Sequence, residues 1–155
     1  MNVTRFTGAP LIIFLFLSIS CTGISEGWAQ KAGVMRVEVS GDEQNYSFSV
    51  TVKSPDTGCE QFSDWWEVIT PEGDLIYRRI LLHSHVTEQP FTRSGGPVDV
   101  TRSAELIIRA HMNTTGYGTE AMQGSVEEGF RKVTLTNNFA VSLEKKAPLP
   151  TGCAF

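Results

Sequence analysis

"NYSFSVTVK", residues 45–53, alternates polar and apolar side chains at every position. One side of the extended chain carries four apolar residues: Tyr46, Phe48, Val50 and Val52. Because successive side chains of a β-strand point to opposite faces, this pattern predicts a strand with one buried face. Residues 34–40 alternate in the same way, so we expect the two runs to form a hairpin with its turn at Gly41 and Asp42.

A second hairpin is predicted from "DWWEVITPEGDLIYRRILLHSH", residues 64–85, where Pro71 and Gly73 separate two β-rich runs. Further strands are expected in residues 97–101 and 104–112, and one or two more in residues 130–145. Residues 113–130 are rich in glycine and polar side chains, and their pattern assigns no element. The chain is therefore predicted to be all-β, an antiparallel immunoglobulin-like β-sandwich of about seven strands.

Alternation also assigns side chains to faces in these strands. Trp66 and Val68 are expected on the buried side of their strand, and Trp65 on the opposite side. The next run divides into a core face with Ile76, Ile80, Leu82 and Val86, and an outer face with Tyr77, Arg79, Leu81, His83 and His85. The run 104–112 divides into a core face with Leu106, Ile108, Ala110 and Met112, and an outer face with Arg109 and His111.

Residues 1–30 have the order of features typical of an export signal. Arg5 precedes an apolar run that starts at Leu11, and small and polar residues follow it. The run is shorter than the roughly 20 residues of a membrane-spanning helix, so we expect no transmembrane segment in the mature chain. We predict a periplasmic or secreted protein in which residues 31–155 form a single domain.

The signal leaves its cleavage point open. Small residues allow cleavage before Cys21 or before Trp28. Cleavage before Cys21 would permit a lipid anchor on its sulfur, but Ser18 stands where lipoprotein signals usually carry an aliphatic residue. The sequence therefore disfavours the anchor.

Charge and cysteine content restrict the kinds of partner. The net charge is −4, and residues 1–30 contribute nothing to it because they hold one arginine and one glutamate. The sequence lacks the basic stripe that is typical of nucleic-acid-binding proteins, so we expect no nucleic-acid partner. Cys59 and Cys153 are the two cysteines that follow the signal, and in an oxidising compartment we expect them to form a disulfide.

His83 and His85 are the residues most suggestive of a metal site. On one face of a strand, side chains two positions apart lie about 7 Å from each other, which suits two ligands of copper or zinc. If the short strand 97–101 runs between the strands of His85 and His111, His111 ends its strand at the same end of the sandwich, with Glu88 as a fourth, oxygen ligand. The alternative is a surface cluster that hydrogen-bonds loop backbone at the end of a strand.

The same end of the sandwich is predicted to be locally basic. Besides the histidines, we expect it to carry six residues of a ligand-binding surface: Arg79, Gln89, Phe91, Arg93, Arg109 and Tyr117. A basic surface on an acidic protein would attract a small anionic ligand or an unknown protein partner. No catalytic set is visible, so a binding domain is favoured over an enzyme, with a metal-binding protein or small metalloenzyme as the alternative.

Several motifs resemble a group of small exported bacterial proteins, cyanobacterial and proteobacterial. The resemblance covers residues 46–118 and rests on Trp-Glu-Val, Arg-x-Leu-x-His-x-His, Glu-Gln-Pro-Phe and Arg-Ala runs in this order. Its most specific part is Glu88–Phe91. The resemblance implies export and a single β domain, and it implies no mechanism.

Overall fold

The first predicted hairpin is present in the computed structural model, which describes Met1 and residues 31–154. Strand β1 (Gly33–Asp42) pairs antiparallel with β2 (Asn45–Lys53). Asp42 pairs with Asn45, so the turn lies at Glu43 and Gln44, two residues later than predicted. Gln44 takes a left-handed conformation there, with φ of 64°. The predicted signal, both cleavage points and Cys21 lie outside the described residues.

The predicted sandwich is confirmed as two antiparallel sheets. The small sheet has the order β1-β2-β5, and its third strand is β5 (Phe91–Val98). This strand begins six residues before the predicted run 97–101, because Phe91 to Gly95 continue the pairing with β2.

The large sheet has the order β4-β3-β6-β8-β9, with a short β7 paired to β6. Its strands are β3 (Ser63–Ile69), β4 (Leu75–Ile80), β6 (Leu106–Met112), β7 (Gly116–Tyr117), β8 (Glu120–Ser125) and β9 (Gly129–Thr134). Residues 113–130, left unassigned by the sequence, thus supply two strands. The described chain has nine strands where about seven were predicted, and a 3-10 helix, Val141–Lys145, follows them.

The core between the sheets follows the predicted alternation. Trp66 and Val68 are fully buried and pack with the apolar face of β2. The even-numbered residues of β6, from Leu106 to Met112, join the same cluster, as predicted.

A second apolar cluster lies on the outer face of the large sheet, where the sequence predicted solvent. Its buried members are Trp65, Ile69, Ile107, Tyr117, Ala121 and Leu143. Leu143 comes from the segment that follows β9, residues 139–154, which we call the C-terminal segment. Arg109 and His111 were expected to face outward, and they do point to this outer face. They are nevertheless 1% and 7% exposed, because the face is covered.

The predicted faces of residues 75–86 are wrong within the strand as well as after it. Tyr77, expected outside, packs against the core between the sheets, and Ile80, expected in the core, packs on the outer face with Trp65.

The predicted strand also continues too far, past Ile80. Strand β4 ends there, and the chain leaves the sheet to reach β5 in the other sheet. Alternation stops with the strand: Leu82 and Val86, predicted in the core, are 49% and 51% exposed, whereas Leu81, predicted outside, is buried.

The predicted disulfide between Cys59 and Cys153 is present, with its Cα atoms 5.6 Å apart. It fastens the end of the C-terminal segment to the loop after β2 and closes a chain loop of 94 residues. Loop-closure entropy for so long a loop corresponds to about 4–5 kcal/mol of stabilisation. Among the described residues, none of the helices is long and apolar enough to cross a membrane.

Candidate functional site

The loop of residues 81–90 joins the two sheets, and Asp56 holds it in place. The Oδ2 atom of Asp56 accepts a hydrogen bond from the backbone N–H of His85 at 2.8 Å. Its Oδ1 atom accepts from the Ser54 hydroxyl at 2.6 Å and from the Ser63 N–H at 3.0 Å. The "SPDTGC" stretch, residues 54–59, indicates only a turn at Asp56. The hydrogen bonds by which Asp56 holds the loop were therefore not predicted.

Gln89 fixes the same loop from its other end. Its side-chain oxygen accepts from the Ser54 N–H at 2.9 Å, and its Nε2 atom donates to the His85 carbonyl at 3.1 Å. The side chain was predicted to contact a ligand. In the structure its amide positions the backbone of His85.

The His85 ring is buried with its polar atoms unused. The residue is 4% exposed and stacks on Phe91, with ring centroids 3.7 Å apart and planes 10° from parallel. Within the described chain, neither ring nitrogen has a hydrogen-bond partner, and Nδ1 lies 3.8 Å from the nearer oxygen of Asp56. Burial, aided by the positive charges of Arg93 and His83, lowers the pKa of His85. The ring is therefore neutral at pH 7.

A small cavity of about 110 Å³ lies beside this ring. Its polar lining consists of Arg79, His83, His85 and Arg93, and we call it the cationic cavity. His83 is exposed, and its ring lies 4.7 Å from the His85 ring. Of the residues predicted to form a surface at this end of the sandwich, these four do lie together.

Arg79 reaches the cavity from β4 and bridges the two sheets. Its Nε atom donates to the Ser94 carbonyl at 3.1 Å, and its Nη1 atom to the Ile80 carbonyl at 3.0 Å. Gly95 makes this path possible, because a Cβ at that position would lie 3.0 Å from Cδ of Arg79 and 2.6 Å from the hydroxyl of Tyr77.

Arg93 enters the cavity from β5 and pairs with Glu88. Its Nη2 atom donates to Glu88 Oε2 at 2.8 Å. This hydrogen bond lowers the pKa of Glu88. Glu88 was predicted as a metal ligand, and in the structure it is the partner of Arg93. Two arginines line the cavity. The carboxylates near it are the exposed Glu88 and the buried Asp56, which lies 3.8 Å from His85 Nδ1 and already accepts three hydrogen bonds.

Arg109 and Tyr117 lie elsewhere, in a buried charge cluster on the outer face of the large sheet. Glu67 is fully buried at its centre, paired with Arg78 at 2.6 Å and with Arg109 at 2.8 Å. The Arg109 guanidinium lies over the Tyr117 ring at 3.4 Å. Burial and the Glu67 charge raise the pKa of Tyr117.

The same two arginines hold the C-terminal segment. Arg78 donates to the carbonyls of Leu143, Lys146 and Pro148. Arg109 donates to the carbonyls of Phe139 and Ala140 at 2.6 and 3.0 Å. Arg109 therefore helps to hold the segment that covers the outer face, and Arg78, which the sequence analysis did not single out, does the same.

His111 does not join His83 and His85. Strands β4 and β6 do run in the same direction, because both pair antiparallel with β3. His111 nevertheless lies on the outer face, stacked on Trp65 at 3.6 Å, whereas His85 stacks on Phe91 of the inner core. The described residues contain no group of three or more His, Cys, Asp or Glu side chains placed to hold a metal ion.

No family model matches the chain, and no solved structure matches it. It is similar to a protein of Halomicrobium mukohataei described as "Putative lipoprotein", with 39% identity over 110 residues. The match covers 70% of this chain and 54% of the relative, so the chain spans about half the length of the protein it matches.

Proposed function

We propose that this chain is an exported binding domain whose cationic cavity takes a small anion. The observation that carries the proposal is the buried His85 ring, whose unused nitrogens lie beside a cavity lined by Arg79, His83 and Arg93. A buried polar group normally has a partner, and one without a partner in the described chain calls for an explanation.

An anion satisfies this environment better than a cation or a neutral apolar group. Arginine guanidinium groups donate hydrogen bonds to carboxylate or phosphate oxygens, and a neutral imidazole has one N–H to donate. At about 110 Å³ the cavity is smaller than the roughly 300–1,000 Å³ of sites for drug-sized ligands. An inorganic oxyanion or a single carboxylate group is therefore the ligand class that we assign.

Export is supported by three separate features. The apolar run from Leu11 has the form of a signal, and a disulfide such as Cys59–Cys153 persists in oxidising compartments. The lipoprotein description of the relative adds support for export, and it favours a lipid anchor at Cys21 over our initial expectation from Ser18. Mass spectrometry of the protein from a membrane fraction tests this point, because an acylated Cys21 at the new amino terminus has a characteristic mass.

Calorimetric titration with inorganic phosphate and with acetate tests the anion site. We expect saturable binding of at least one of them, weakened at least tenfold in His85→Phe, which keeps the stack on Phe91 and removes both nitrogens. Arg93→Gln should weaken it similarly. Arg36→Gln is the matched control, because Arg36 is an exposed arginine on β1. Equal affinity in wild type and His85→Phe would refute the proposed site.

A further inference from the structure

A second site lies on the opposite face of the large sheet, apart from the cationic cavity. A cleft of about 520 Å³ opens between the β6–β7 turn and the 3-10 helix Val141–Lys145. His111 lines it from the sheet, and Glu144 lines it from the helix. We propose that these two side chains bind one divalent transition-metal ion of the zinc type in this cleft.

Asp64 fixes the ring of His111 in the orientation that such a site requires. The Asp64 Oδ1 atom lies 2.7 Å from Nδ1 of His111, and both side chains are buried. Trp65 holds the ring plane by stacking at 3.6 Å. With Nδ1–H donated to the carboxylate, the lone pair resides on Nε2. A carboxylate behind the histidine is the usual outer partner of a metal-bound imidazole, and it makes the imidazole a better ligand.

The distance between the His111 and Glu144 side chains fits a shared metal ion better than a direct hydrogen bond. His111 Nε2 and Glu144 Oε1 are 3.7 Å apart. A direct N–H···O hydrogen bond spans about 2.7–3.2 Å, so the pair is too far apart for one. Zinc lies about 2.0–2.2 Å from nitrogen and oxygen ligands, which places two tetrahedral ligands about 3.4 Å from each other. The observed spacing accommodates an ion with a shift of a few tenths of an ångström.

Gly116 leaves the space that the carboxylate occupies. A Cβ at this position would lie 2.6 Å from Glu144 Oε1, and its φ of 72° is a left-handed conformation that favours glycine. The Glu144 side chain is 36% exposed, so water can complete the coordination sphere. Lys145 also lines the cleft, and its ammonium group lowers the affinity for a cation. Two protein ligands beside a lysine imply a site of modest affinity.

Zinc titration of the full disulfide-bonded chain tests this proposal, with cobalt(II) absorption as a report on coordination. We expect one ion per chain. Glu144→Gln, a partly exposed position, should weaken binding at least tenfold, and Asp64→Asn should weaken it by about 10–100-fold. Glu127→Gln is the control, because Glu127 is an exposed carboxylate in the turn between β8 and β9.

A second measurement keeps the test independent of folding defects in the variants. Imidazole ¹⁵N resonances of the wild type should show zinc moving Nε2 of His111, with those of His83 and His85 unchanged. The proposal is overturned by three results: no binding tighter than millimolar, undiminished binding in Glu144→Gln, or a shift confined to His83 and His85. The proposed anion site concerns different residues and survives any of these.

Discussion

Two clusters in this protein combine two arginines with one carboxylate, and their hydrogen bonding differs. In the buried charge cluster, Glu67 accepts from Arg78 and Arg109, and both arginines also donate to backbone carbonyls of the C-terminal segment. In the cationic cavity, Glu88 engages Arg93 while the His85 ring nitrogens have no partner in the described chain. The first cluster is complete as it stands, whereas the second has hydrogen-bonding capacity left for a ligand.

Of the substitutions that compare the two clusters, Glu67→Gln should have the largest effect on the free energy of unfolding. Both arginines would stay buried without their counter-charge, and breaking a buried ion pair from one side costs about 3–5 kcal/mol. We expect a loss of that order in the free energy of unfolding, measured by urea denaturation. Glu38→Gln is the matched control, because the exposed pair with Arg36 should contribute only about 0–1 kcal/mol. A loss under 1 kcal/mol in Glu67→Gln would mean that the cluster does not stabilise the fold.

His85→Phe should act in the opposite direction on stability. It replaces buried polar atoms that have no partner in the described chain with an apolar ring, and such an orphaned group costs about 1–3 kcal/mol. We expect the free energy of unfolding to rise by about 1 kcal/mol, with anion binding lost. If the variant is instead clearly less stable than the wild type, the His85 nitrogens have a structural role.

The pH dependence of stability should identify His85 as a buried neutral imidazole. Its pKa in the folded protein lies below the ordinary value of about 6.5 that it has when unfolded. The unfolded chain therefore binds the proton first, and stability is lost as the pH falls from about 6.5 to the lowered pKa. His85→Phe should lack this part of the loss.

Added phosphate should oppose the loss of stability of the wild type at low pH. An anion bound beside the ring favours the imidazolium form and raises the pKa of His85, so anion affinity should increase as the pH falls through the same window. The charged and titratable groups that face His85 are Arg93, His83, Asp56 and Glu88. Thermal denaturation at pH 7.5 and 5.5, with and without phosphate, measures both effects.

The smallest effect is expected for Glu88→Gln, which frees Arg93 from its carboxylate. Anion affinity should rise by a few-fold while stability hardly changes, because Glu88 is largely exposed and its ion pair with the partly buried Arg93 contributes little. Calorimetric titration with phosphate makes the comparison. Weaker binding in this variant would show that Glu88 orients Arg93 for the ligand.

The sheets were predictable because alternation is a local property of the sequence. Residues 45–53 and the strand of Trp66 and Val68 each have one strongly apolar face, and both were assigned correctly. The disulfide was predictable because only Cys59 and Cys153 follow the predicted signal. These features require no knowledge of distant contacts.

The covered outer face was not predictable from alternation, because its cover comes from a distant part of the chain. Glu67 and Arg109 look like solvent-facing residues of their strands until the C-terminal segment is placed over them. A signal was nevertheless present. Three neighbouring strands carry opposite charges at paired positions, Glu67 with Arg78 and Glu67 with Arg109.

The residues that line the cationic cavity were predicted to lie together, but the contacts that bring them together were not predicted. Arg79, His83, His85 and Arg93 were all assigned to one surface, and they line one cavity. The loop that gathers them depends on Asp56 and Gln89, whose hydrogen bonds span 29 and 35 residues. Periodicity carries no information about such contacts, so the apolar run before His83 was wrongly extended as a strand.

The attachment of the C-terminal segment has a practical consequence for any labelled form of this protein. After the disulfide at Cys153, the Ala154 N–H donates to the carbonyl of Leu82, a residue of the cavity wall. Ala154 thus lies against that wall, close to the carboxyl end of the sequence. A polyhistidine purification tag placed there would add imidazoles next to His83 and compete in both the anion and the zinc titrations, so it should be removed before either measurement.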